Sequence, residues 1–139
     1  PSRPYGHSVP SEEHLLSPRT WEDRLRGLAA LLPLFEKPDA ESGEAISALN
    51  DVAYRLGWVL PDFDWPSWAH GPECQRLVQH PTEVAAVDAF TLARLLTAHL
   101  RQDRFCEGHL ESAYAGGHLE AIVRRAAALA GGFRPQDGP

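Results

Sequence analysis

The chain has 139 residues, 43% of them hydrophobic and 23% charged, with a formal net charge of −6. That length suits one domain burying roughly two-thirds of its unfolded surface, and the composition excludes a disordered or fibrous chain. No apolar run approaches the roughly 20 residues that cross a bilayer, so no membrane partner is expected. An acidic chain without a basic stripe is also poorly suited to nucleic acid, whose phosphates must be neutralised.

The charge is unevenly spread. Residues 1–88 carry 7 basic and 14 acidic groups, net −7, and residues 89–139 carry 6 and 5, net +1. A local anion site therefore belongs to the C-terminal third. Only Lys37 among the 13 basic residues is a lysine, as in a GC-rich bacterial genome. Cys74 and Cys106 form no CxxC pair, and the opening PSRPYGHSVPSEEH lacks the features of an export signal. The reading is a cytoplasmic protein with both thiols reduced and buried or half-buried.

Residues 1–16 show no periodicity and are expected to form a flexible arm ahead of a single domain, 17–131. Its first helix carries Trp21, Leu25, Leu28, Leu32 and Phe35 along one face, with Thr20 as the cap. Pro33 disturbs its last turn and Pro38 ends it. A second helix over 42–57 presents Ile46, Leu49, Val52, Ala53 and Leu56, and Gly57 stops it. "WVLPDFDWPSWAHGP" is too rich in proline for a long helix, so its aromatic rings are expected to lid the core, with one turn at 66–70. Short helices near 72–79 and 82–87 lead to a long one, 88–105, capped by Asp88. "EGHLESAYAGG" reads as a short helix and "HLEAIVRRAAALAGG" as the last. Residues 132–139 are expected to fray. No alternating apolar–polar run marks a strand. The expected fold is all-α, a single compact bundle of five to seven helices with a Trp/Pro-rich loop between the second and third.

"LGWVLPDFDWPSW" and "LLTAHLRQDRFCEGHLESAYAGGHLEAIVRR" together resemble a small bacterial family catalogued as a domain of unknown function (number 6508). The resemblance spans about residues 27 to 129. Leu95-Leu96-Thr97, Arg101, Arg104, Phe105, Gly108 and Arg125 are its most specific residues, and it does not require histidine at 109 or 118. It implies an identity and no mechanism.

The stretch "RQDRFCEGHL", 101–110, concentrates the chemistry. On a helix, His99 and Asp103 lie four residues apart within the apolar sector of Leu92, Leu95, Leu96 and Leu100, while Arg94, Arg101 and Arg104 lie opposite. A buried carboxylate needs a partner, and His99 and Arg125 are the candidates. Asp103 is read mainly as structural, tying helices together or capping the helix near Glu107. A catalytic His99–Asp103 base pair lacks a nucleophile motif. A zinc set drawn from His99, Asp103, Cys106, His109 and His118 lacks an HExxH or paired-cysteine signature. Arg101, Arg104, Arg124 and Arg125 offer an anion clamp. Asp62 and Asp64 form a DxD with no companion motif, better read as turn caps. Phe105 is taken as the hydrophobic anchor of the seam and Gly108 as its turn.

The reading is a non-catalytic module that binds a protein partner or itself, as a homodimer. Its binding residues are Arg101, Asp103, Arg104, Glu107, His109 and Arg125, with Trp65 and Trp68. No catalytic residue, metal ligand or cofactor is assigned. The alternative is a small-ligand (anion) binder or hydrolase-like enzyme built on His99, Asp103, Glu107 and the nearby arginines.

Overall fold

The computed structural model describes residues 18–37 and 41–132. Among them are eight α-helices, one 3-10 helix and no strand. In chain order these are α1 (Pro18–Ala29), α2 (Leu32–Glu36), α3 (Ser42–Arg55), α4 (Trp65–Ala69) and α5 (Pro72–Gln79). The 3-10 helix Pro81–Ala86 follows, then α6 (Ala89–Gln102), α7 (His109–Ala115) and α8 (His118–Gly131). The expected arm over 1–16 and residues 133–139 of the expected tail lie outside the described residues.

Proline sets the short rhythm of the first half. α1 begins at Pro18, and α2, α4, α5 and the 3-10 helix each carry a proline in their first turn. A first-turn N–H has no intrahelical acceptor, so a proline there removes nothing, whereas in a helix interior it breaks a bond. Pro33 therefore splits the expected first helix into α1 and α2; the side chain of Thr20, the expected cap, lies outside what the structure describes.

The second half is organised around α6. Asp88 Oδ1 accepts the Thr91 N–H at 2.8 Å to start it. Thr91, Leu92, Ala93 and every residue from Leu95 to Leu100 are buried. A helix apolar on nearly all sides needs neighbours all round. It receives α4, α7 and α8, while α8 also packs on α1 and the 3-10 helix.

The start of the Trp/Pro-rich loop enters this core, while Phe63 and Trp68 pack half-buried against it as the expected lid. Trp58 is fully buried, its ring 5.7 Å from that of Trp21, and its Nε1–H donates to the Arg24 carbonyl at 3.1 Å. Burying such a ring contributes roughly 1.5–3 kcal/mol. The entry is set by the end of α3. Gly57 adopts φ +82°, Trp58 N–H reaches the Ala53 carbonyl at 2.8 Å and Gly57 N–H reaches that of Tyr54 at 3.4 Å. This paired closure satisfies the last carbonyls of α3 and turns the chain inward. Thr97 then fixes the loop to α6. Its hydroxyl donates to the Trp58 carbonyl at 3.2 Å and accepts the Leu60 N–H at 3.0 Å.

Candidate functional site: a histidine seam beneath an aromatic–arginine face

Three histidines meet where α6, α7 and α8 come together. His99 lies in the last turn of α6, His109 opens α7 and His118 opens α8. His99 Nδ1 and His109 Nε2 share a hydrogen bond of 2.9 Å, with ring centroids 5.1 Å apart. The His118 ring stands edge-on to His99 at 6.0 Å. His99 is buried, and its Nε2 finds no partner among the described residues. Burial pushes the His99 pKa down to about 3, with His109 and His118 pushing the same way. Burial also lowers His109, against the raising influence of Asp103. His118 is lowered by burial and then by His109. The seam is therefore built for neutral imidazoles, one donating to the next.

The Asp103 carboxylate does not bond His99, as the helical register suggested, nor Arg125. Asp103 closes α6 with its backbone still helical (φ −61°, ψ −25°) and its N–H on the His99 carbonyl, but its carboxylate is engaged elsewhere. Its Oδ1 accepts the Leu110 N–H at 3.0 Å. α7 starts on Gly108, at φ +85° and without a side-chain cap, so Asp103 supplies the acceptor from across the loop. That is the capping role expected of it. Leu110, 5% exposed, anchors this loop in the core.

Phe105 does not. It is 77% exposed, because tight bonds from Arg104 N–H to the Arg101 carbonyl and from Phe105 N–H to the Gln102 carbonyl carry the chain off the end of α6. Its ring stacks on Trp65 of α4, centroids 6.2 Å apart and planes 25° apart. Beside it the Arg104 guanidinium lies 5.8 Å from the ring of Tyr54 in α3 and donates to its hydroxyl at 3.4 Å. Cys106 is likewise exposed where a buried or half-buried thiol was expected, and only Cys74 is buried.

The expected binding residues divide between places. Arg101, Arg104 and Glu107 belong to the segment that bears Phe105, and Trp65 packs against it; Arg101 Nε is buried without a partner. His109 belongs to the seam. Trp68 braces α4 on α5, its Nε1–H donating to Glu73 at 3.1 Å, with Arg94 over its ring at 5.6 Å. Arg125 is elsewhere, its Nε–H donating to the Val87 carbonyl at 2.7 Å. Tyr54 was not singled out from the sequence, since one tyrosine off the apolar stripe of α3 carries no signal until its neighbour is known. Asp64 caps α4 through the Ser67 N–H at 3.3 Å.

Among the described residues no group of three or more His, Cys, Asp or Glu is placed to hold a metal. A groove of about 490 Å³ runs between the 3-10 helix and α8 past Arg124 and Arg125. A smaller one of about 350 Å³ is lined by Glu73, Arg76, Glu83 and Asp88. Neither is lined by His99, Asp103 or Glu107.

These features define a small all-α protein with a neutral histidine seam and an exposed aromatic–arginine face. A family of unknown function, DUF6508, matches residues 21–132, and the chain belongs to that family. No curated protein and no solved structure matches it. No helix among the described residues is long and apolar enough to cross a membrane.

Proposed function

We propose that the protein is a non-catalytic interaction module that docks a segment of a partner protein on the face formed by Tyr54, Trp65, Arg104 and Phe105. The observation that carries this reading is Phe105, 77% exposed and stacked on Trp65. An isolated exposed phenylalanine is unremarkable, but one held against a second aromatic ring and flanked by an arginine–tyrosine pair has the composition of a binding hot spot. The face is also prepared in advance. Asp103 and Gly108 fix the loop, so little ordering entropy remains to be lost on binding.

The enzyme alternative has less support, since the Asp103 carboxylate is already engaged at Leu110 and neither groove is lined by His99, Asp103 or Glu107. The free state of Cys74 and Cys106 supports the cytoplasmic reading, and the negative net charge supports a partner other than nucleic acid.

Selection from a random displayed peptide library tests the proposal. The purified chain enriches peptides that bind micromolar or better, and Phe105→Ala weakens them about 30-fold or more while its urea midpoint stays close to that of the parent. Peptides indifferent to Phe105, or none enriched, would refute it. Sedimentation equilibrium separates the rival occupant: a dimer dispersed by Phe105→Ala would assign the face to a second copy of the chain.

A further inference from the structure

We infer that the segment docking on this face presents a carboxylate beside its apolar anchor, read by Arg101 and Arg104. The inference rests on the docking face proposed above and adds the chemistry of its occupant.

The chain holds 19 acidic against 13 basic residues, so an arginine has carboxylates to spare. Among the described residues, five arginines on other faces lie within 4.0 Å of one, Arg76 with Glu83 at 3.0 Å among them. Arg125 is held by a backbone carbonyl. Arg101 and Arg104 differ. Among the described residues Arg104 makes its hydrogen bond and ring contact with Tyr54 and no ion pair, and Arg101 makes no ion pair either; its Nε is enclosed without an acceptor, as is that of Arg94, which has a carboxylate as well. The two sit one turn apart, joined by the bond from Arg104 N–H to the Arg101 carbonyl, immediately before Phe105. Glu107, in the same loop, makes no ion pair with either.

What sets this pair apart is a guanidinium without a carboxylate beside an exposed aromatic ring, and not the enclosed Nε, which a docking segment does not reach. A carboxylate accepts two parallel N–H bonds from a planar guanidinium, here the exposed one of Arg104. The flat, exposed Phe105–Trp65 pair beside it provides the apolar part of the contact. A short acidic-aromatic or acidic-aliphatic stretch satisfies both; a basic one meets two like charges.

Sequencing the peptides selected on the purified chain tests this. Aspartate or glutamate is expected to be enriched next to an aromatic or aliphatic residue in the peptides that require Phe105. Selection on Arg104→Glu, a change at an exposed side chain, is expected to favour lysine or arginine at that position. The parent's peptides should lose about tenfold in affinity for this variant. Arg101→Gln provides a second variant, with its far-UV spectrum confirming the fold. Phe105-dependent peptides without acidic enrichment, or with a composition unchanged by Arg104→Glu, would overturn the carboxylate and leave the docking face standing. A selection yielding no Phe105-dependent peptide would remove both.

Discussion

At the scale of single residues, three positions do work that their residue type alone does not announce. Thr97 is fully buried and holds two backbone groups, the Trp58 carbonyl and the Leu60 N–H, that have no other hydrogen bond among the described residues. Thr97→Val keeps the shape and leaves both unsatisfied, so it should destabilise by about 2 kcal/mol or more. Thr97→Ser keeps the hydroxyl and should cost less than Val. Equal losses in urea denaturation would show that the methyl group contributes as much as the hydroxyl and would contradict this assignment. Asp103→Ala removes the acceptor for Leu110 N–H and should cost about 1 kcal/mol, the value of a helix cap. An unchanged melting temperature would mean that solvent replaces the carboxylate there. Gly57 combines φ +82° with a close approach, since an added Cβ would meet an Arg24 guanidinium nitrogen at 2.6 Å. Gly57→Ala is expected to lose about 1–2 kcal/mol from the backbone conformation, before any displacement of Arg24.

At the scale of elements, the molecule is a set of helix ends brought into register. His99, His109 and His118 lie at or near the termini of α6, α7 and α8, and their mutual contact joins those helices. All three have pKa values lowered in the folded state, burial being the first cause in each. A lowered folded pKa means that the unfolded chain binds the proton more readily. The stabilisation is therefore complete above the unfolded value of about 6.5 and is lost as pH falls below it. For His99 the decline continues to about pH 3. Between pH 6.5 and 5 it amounts to about 2 kcal/mol for that one buried group, with His109 and His118 acting in the same direction. Asp88 is also lowered, first by its bond to Thr91 N–H, so its contribution begins to be lost only as pH falls below the ordinary carboxylate value of about 4. Urea midpoints at pH 7 and pH 5 measure the effect, and His99→Leu should flatten the difference. A stability independent of pH over that interval would contradict a seam that excludes protons.

At the scale of the whole molecule, the polar chemistry of residues 99–118 separates into an inside and an outside. The histidines face the junction of three helices, and Arg104 and Phe105 stand on the surface above it. Asp103 belongs to both, because its cap closes the loop that displays them while its charge faces His109. The proposed docking face also draws Tyr54 from α3 and Trp65 from α4, far away in sequence. It follows that Tyr54→Ala and Trp65→Ala should each weaken peptides that need Phe105, and that variants at Arg125 should leave them bound. Loss on changing Arg125 would extend the face across the molecule to the other side of α8.

The helices were legible in the sequence because periodicity, proline and glycine act locally. Asp88, Gly57, Gly108 and the apolar stripes mark where each element begins, turns and buries a face. Most of the candidate residues were legible too, since arginines and an aromatic ring in "RQDRF" stand out against leucine and alanine. What they contact was not. Helical register placed Asp103 beside His99, and Phe105 was expected as an inward anchor. Asp103 does keep helical backbone at the end of α6, but its carboxylate is taken by the Leu110 N–H at the start of α7, and beyond it the chain leaves the helix so that Leu110, not Phe105, takes the buried position. Hydrogen bonds between residues seven and ten apart, and rings drawn from three separate segments, depend on how helices pack. Only the tertiary structure decided that, because side-chain order along one helix carries no information about the element that arrives opposite.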